Sequence, residues 1–320
     1  MKISLIVGCV LLALNALAQQ AQLLSPIRLT NREVSLSVTS SVGQYFRVDA
    51  ATNLASSNRW SSLVSFQSAG VNQHTDSAAP FSLTRFYRAE QLTNAPLFTG
   101  DHLSTTTGGD IVIRPINHAS FLLSWNGKVI YNDPVGGATP YAGLPKADLI
   151  LVSHSHSDHF SSTTLDAVRG TSCVILAPIA VYNGMTTTLK ALTTVLTNGV
   201  STNVYGITVE TVTATNANHA PGFGLGYVLN MGGRRVYMAG DTGNIPPIRA
   251  LTNIDVAFLC MNVPFTMTPL EATNAVRAFR PSIVYPYHYR DSSNATTNAA
   301  YFKQILGLDS GTEVRLRKWY

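Results

Sequence analysis

Cysteine is scarce in this chain, with three residues in 320. Cys9 lies in the N-terminal apolar stretch, which leaves Cys173 and Cys260 for the body of the protein. Each sits in an apolar, strand-like run. They read as buried free thiols, and neither has the companions of a disulfide framework, a zinc knuckle or a nucleophile. Charge is thin as well: 12% of residues are charged, and the net charge of +5 is scattered without a Lys/Arg run. Such a surface carries no nucleic-acid signature, and no nucleic-acid partner is expected. No apolar run reaches the roughly 20 residues that a membrane-spanning helix needs. No transmembrane segment is therefore expected in the mature chain, and no internal repeat is visible.

What is present starts with a leader-like segment. Lys2 supplies a positive start, residues 3–16 are mostly apolar, and Ala16, Leu17 and Ala18 fit a cleavage site. This reads as a signal peptide over residues 1–18 and places the mature protein in the periplasm or outside the cell. Residues 19–95 are rich in Ser, Thr and Asn. Polar and apolar residues alternate from Glu33 to Val38, as in a half-buried strand. Further strands are expected at 44–49 and 86–89, with turns at 52–53 and 57–58. Together they predict a small all-β, sandwich-like module. Its Thr52, Asn53, Leu54, Trp60, Phe86, Tyr87 and Arg88 are similar to modules of exported bacterial proteins. No catalytic constellation is visible there; the reading is a spacer, or a contact to a surface or carbohydrate. His74 and His102 are read as surface residues.

Pro96 and Gly100 mark a junction, and residues 97–320 form a second domain in which strands and helices alternate from Asp110 onward. At 45% hydrophobic residues the chain can bury a large core in two domains. Thr268, Pro269 and Glu271 form a helix start with a capping box. That helix is expected to run to about Phe279, with Pro281 ending it and a strand from Ile283 delivering His288.

The chemistry concentrates in one run. The chain has 8 histidines, and His154, His156 and His159 fall within six residues together with Asp158. They follow an apolar, strand-length run at 147–152. Imidazoles and a carboxylate at a strand end can converge on a metal such as zinc. His219, Asp241 and His288 each stand at or just past a further expected strand end, the usual rim for active-site groups in layered α/β folds. Singly, His219 or His288 is an ordinary loop or core histidine and Asp241 a turn aspartate. With the cluster they complete a set able to hold two metals.

This order of motifs resembles the metallo-β-lactamase superfamily over residues 97–320. Within it, residues 116–123, 129–134, 224–229 and 285–289 are similar to the branch of ascorbate-phosphate lactonase-like and N-acyl-phosphatidylethanolamine phospholipase D-like proteins. The resemblance implies an αββα four-layer sandwich. It implies that His154, His156 and His219 hold one metal, that Asp158, His159 and His288 hold another, and that Asp241 bridges them. The two ions would be divalent, zinc from the ligand types, with manganese and iron open. The implied activity is hydrolysis of a lactone, amide or phosphoester bond in a small molecule by a metal-bound hydroxide, with Asp158 and Asp241 orienting the nucleophile. Alternatives are a phosphodiesterase or nuclease of the same fold, and an exported metal-binding protein without catalysis. His118 and Asp133 are candidate outer partners of the ligands. Phe223, Phe265, Met267, Tyr287, Tyr289 and Arg290 are candidate cavity residues, Arg290 as an anion contact.

Overall fold

The computed structural model describes residues 7–9, 22–52, 60–291 and 293–320. Apart from Val7–Cys9, the expected leader and its cleavage site lie outside the described residues, as do Asn53, Leu54 and the turn at 57–58. The chain forms two compact units, Met1–Ser104 with Asp110–Arg114, and Thr105–Gly109 with Pro115–Tyr320.

Among its described residues the first unit is all β apart from one short 3-10 turn, Ala79–Phe81. A four-stranded sheet is made of Gln22–Leu23, Ile27–Arg28, Val34–Thr39 and Val71–Asp76. A second sheet carries Arg85–Gln91, Tyr45–Ala51, Ser61–Gln67 and Asp101–Leu103, the last paired with Ile111, Val112 and Ile113. Val34, Leu36 and Val38 alternate inward, as the sequence pattern requires, and meet Val48, Ala50, Leu63 and Tyr87 in one apolar core. The Pro96 and Gly100 segment falls inside this unit, because Asp101–Leu103 is held between Val64 and Ile113. His102 is not a surface residue. Its two ring nitrogens lie 3.0 Å from Asp110 Oδ2 and 3.0 Å from Ser65 Oγ.

The second unit has the two packed sheets and outer helices of the αββα arrangement. Ser120–Trp125, Lys128–Asn132, Ala147–Leu151, Arg169–Ala177 and Thr193–Val195 lie side by side in one sheet. A seven-stranded sheet runs in the order Ser201–Val204, Ile207–Asn216, His219–Met231, Arg234–Met238, Val256–Cys260, Ile283–Tyr287, Glu313–Val314. The two meet face to face: Phe121 stacks on Phe258 with ring centroids 4.1 Å apart, and Tyr227 donates from its hydroxyl to Val152 O at 2.8 Å. Burying each such aromatic stabilises the unit by roughly 1.5–3 kcal/mol. The helix expected from the capping box is Pro269–Phe279, and Thr268 and Glu271 exchange both capping bonds. Its Phe279 ring packs edge-on against Tyr237 of the second sheet. Arg280, left-handed at φ 48, terminates the helix before Pro281. Cys173 and Cys260 are buried and free. Among the described residues no helix is long and apolar enough to cross a membrane.

Candidate metal centre

Five strand ends build one rim. His154 and the loop after it follow Ala147–Leu151; His219 opens His219–Met231; Asp241 follows Arg234–Met238; His288 follows Ile283–Tyr287; Asp133 follows Lys128–Asn132. At several of these ends the chain leaves the strand through a left-handed residue: Asp133 at φ 42, His288 at φ 45, and His118 at φ 56 after Ile111–Asn117. Left-handed backbone is costly for residues with a Cβ and persists where the surrounding structure fixes it. Here it turns each side chain back over the sheet edges. Gly240, at φ +61, does the same for Asp241. A Cβ there would lie 2.9 Å from Leu225 O, so only glycine fits this turn.

The side chains converge. Among the described residues, four groups each bring their ligand atoms within 4.8 Å of one another: His154, His156 and His219; His118, Asp158 and His288; His154, Asp158 and His159; and His159, Asp241 and His288. His219 Nε2 is 3.3 Å from His156 Nδ1. His159 Nε2 and His288 Nε2 are 2.8 Å apart, and Asp241 Oδ1 lies 3.4 Å and 3.3 Å from them. Asp241 Oδ2 points the other way, 3.9 Å from His154 Nε2.

Outer hydrogen bonds set which ring nitrogens face inward. Asp133 is fully buried and accepts from Ser153 N–H at 2.7 Å, Ser153 Oγ–H at 2.7 Å and His159 Nδ1–H at 2.8 Å. Ser153 Oγ in turn lies 3.0 Å from His154 Nδ1 and accepts from it. His219 Nδ1–H donates to Asp241 O at 3.3 Å, and the Asn216 amide donates to the same oxygen at 3.2 Å. With Nδ1 of His154, His159 and His219 engaged by these outer partners, each Nε2 is turned toward the centre. His118 lies 3.3 Å from Asp158 Oδ2 through Nε2, and its Nδ1 accepts from the Tyr320 hydroxyl at 3.1 Å.

The electrostatics agree. Burial, and then the neighbouring imidazoles, hold His154 well below the ordinary histidine range, so it stays neutral. Burial also lowers His219. Burial would raise the Asp158 carboxyl, but hydrogen bonds from His118 and His288 outweigh it and keep the group ionised far below the usual carboxylate range. Burial likewise opposes a charge on His159, yet Asp241 and Asp133 push it up to about 9. A proton can therefore sit at His159, but it answers only one lone pair. His154 Nε2 and Asp241 Oδ1, both directed into the cluster, are buried polar atoms with no hydrogen-bond partner. Unpaired buried acceptors are expensive. A set of imidazoles and carboxylates with inward lone pairs is the donor chemistry of zinc and its first-row neighbours, so these residues fit metal binding.

The centre opens into a cavity of about 470 Å³ lined by His118, His156, Asp158, His219 and Asp241 on the metal side. Of the expected cavity residues, Phe265 and Arg290 line it. The Phe223 ring packs on those of His154, His156 and His219. Met267 and Tyr287 do not reach it; both are fully buried. The Tyr287 hydroxyl accepts from Gly240 N–H at 3.0 Å, bracing the turn behind Asp241 rather than contacting a substrate. Tyr289 packs edge-on against Tyr320. Sequence reasoning missed Ser153, Asn216, Tyr320 and the cavity amides Asn117, Asn218 and Asn262. Ser153 alone had a local signal, since it adjoins the histidine cluster.

Residues 112–288 match the Beta-lactamase superfamily domain. A metal-dependent hydrolase of Thermus thermophilus is 31% identical over 225 residues, covering 64% of this chain and 99% of that relative. One from Thermococcus kodakarensis is 30% identical over 209 residues, covering 62% of this chain and 92% of the relative. A crystal structure assigned as a metal-dependent hydrolase from Parabacteroides distasonis is 36% identical, with a TM-score of 0.62, covering 70% of this chain and 100% of that one. At 23% identity a metallo hydrolase from Ignicoccus hospitalis shares the fold, with a TM-score of 0.58 and coverage of 65% and 95%. With the matched segment spanning the whole rim from Asp133 to His288, the chain belongs to the metallo-β-lactamase superfamily and is a metal-dependent hydrolase.

Proposed function

We propose that the protein is an exported, dinuclear hydrolase that cleaves a lactone, amide or phosphoester bond in a small molecule. One observation carries the dinuclear reading. The two oxygens of Asp241 divide between two sets of imidazoles, Oδ1 toward His159 and His288 and Oδ2 toward His154. A carboxylate so placed could hold an ion with each of its oxygens. The His154, His156 and His219 group and the Asp158, His159 and His288 atoms are then the two ligand sets, zinc being the metal their chemistry favours.

Bound divalent ions supply Lewis-acid polarisation of the scissile group and lower the pKa of water toward ~7. The chain's own residues hold that chemistry in place. Asp133 and Ser153 fix the rings of His154 and His159; the Asp241 carbonyl fixes His219; His118 orients Asp158 on the cavity side. Asp158 stays ionised at the cavity wall, where it and Asp241 can orient the attacking water without a separate general base. Lys2, the apolar residues 3–16 and the small-residue site at 16–18 support export.

The test pairs metal analysis with a panel of lactones, phosphoesters and amides. The reading expects two ions per chain, hydrolysis of at least one class, loss with a chelator and recovery with zinc or manganese. One ion per chain would contradict the dinuclear reading, and full occupancy without turnover would favour a metal-binding protein. Recovery of a mature chain beginning at Gln19 would support export; an intact Met1 in the periplasmic fraction would contradict the cleavage site.

A further inference from the structure

Arg290 stands on the cavity wall without a carboxylate partner among the described residues. Its guanidinium lies over the Tyr320 ring, 4.1 Å from the centroid. The Tyr320 hydroxyl accepts from the backbone N–H of Tyr289 at 3.1 Å and of Arg290 at 3.1 Å, and donates to His118 Nδ1. One phenol thus fixes the segment that carries Arg290, stacks on its side chain, and is joined through His118 to Asp158 of the metal centre. A stacked, pre-oriented guanidinium keeps its fork of donors free for two oxygens of a carboxylate or a phosphate. The nearest acid in sequence, Asp291, also lines the cavity but forms no ion pair with Arg290: its Oδ1 accepts from Ser293 N–H, Ser293 Oγ–H and Ala295 N–H within its own turn. Asn117, Asn218 and Asn262 line the same cavity with neutral amides.

Resting on the hydrolase reading, we infer that the substrate carries an anionic group, a carboxylate or a phosphate, read by Arg290, with Tyr320 as the positioning residue that presents it. The anion sits at Arg290 while the scissile bond lies at the metal side of the same cavity, so the site selects a small anionic molecule over its neutral isostere. A charge-assisted bidentate contact of this kind is worth roughly a 10- to 100-fold preference.

The test uses γ-butyrolactones carrying a carboxylate or a phosphate, each beside a neutral isostere (the carboxamide and the methyl phosphonate diester). They are offered to the zinc-loaded wild type and to Arg290→Gln, Arg290→Lys and Tyr320→Phe. The wild type should prefer one anion about 10-fold or more in kcat/KM. Arg290→Gln should remove the preference through KM, with zinc content unchanged; Arg290→Lys should keep part of it, and Tyr320→Phe, which also frees His118, should lower the ratio of anion to isostere turnover whatever it does to the absolute rate. Equal turnover of anion and isostere by the wild type, or a preference that survives Arg290→Gln, overturns the inference and leaves the hydrolase reading standing. If no lactone is cleaved, calorimetric binding of the same pairs decides. Anion selectivity lost in Arg290→Gln supports the inference while the lactone reading fails; binding without selectivity overturns it.

Discussion

Asp76 in the N-terminal unit and Asp241 in the hydrolase unit are both buried carboxylates, 2% and 6% exposed, yet their surroundings differ in kind. Asp76 accepts from Arg85 Nε at 2.7 Å, the Tyr87 hydroxyl at 2.9 Å and Ala78 N–H at 3.0 Å. Asp49 is likewise answered by Arg47 and Arg88. Asp241 faces only imidazole nitrogens, and its Oδ1 has no hydrogen-bond partner. Every buried side-chain nitrogen or oxygen without a partner among the described residues lies in the hydrolase unit, two of them on the inward atoms of the candidate ligands His154 and Asp241. A polar network that closes on itself holds a fold together; one that leaves lone pairs open and converging waits for a cation. The Ser65, His102 and Asp110 trio makes the lesson sharper. Its contacts of 3.0 Å are those of a hydrolytic triad, but Ser65 is 3% exposed and its Oγ also accepts from Gly100 N–H. It ties the segment around Gly100 to its neighbouring strand and offers no nucleophile to a substrate.

The contrast can be broken by substitution, and the largest effects should fall on opposite properties. Asp241→Ala should lower kcat/KM by about 10³-fold or more and reduce metal content, with the N-terminal unit unchanged; comparable activity would remove the metal centre from the account. Asp76→Ala should leave buried Arg85 unpaired and cost the N-terminal unit about 3–5 kcal/mol, read as a lower unfolding midpoint, while zinc content of the folded protein stays at the wild-type value. Asp133→Asn sits between these extremes. It keeps the volume but weakens the hold on His159 and Ser153, so metal affinity or activity should drop about 10- to 100-fold. Smallest is Ser65→Ala, about 1 kcal/mol of stability and no change in turnover. If it abolished hydrolysis, the distinction between a closed network and an open one would fail.

Much of the site was legible because it is local. His154, His156, Asp158 and His159 are neighbours in sequence, and the apolar run before them announces a strand end. The helix Pro269–Phe279 was readable for the same reason, since a capping box is a four-residue signal. The outer partners were not, because register decides them. Asn132 pairs with Leu151 in parallel strands, and only that pairing sets Asp133 beside Ser153 and His159. Tyr320 reaches His118 across 202 positions of sequence, which no local pattern encodes. Tyr287 was misplaced for a different reason. Ile283–Tyr287 is buried on both faces, so alternation could not separate residues facing the cavity from those facing the core.

Counting zinc is the most direct test of the central claim that open lone pairs mark a two-metal centre. The chelator-stripped chain would be titrated with zinc, alongside Asp241→Ala and Asp76→Asn. The account predicts two equivalents for the wild type, two for Asp76→Asn, and fewer than two for Asp241→Ala. A single equivalent in the wild type, or two retained in Asp241→Ala, would contradict it.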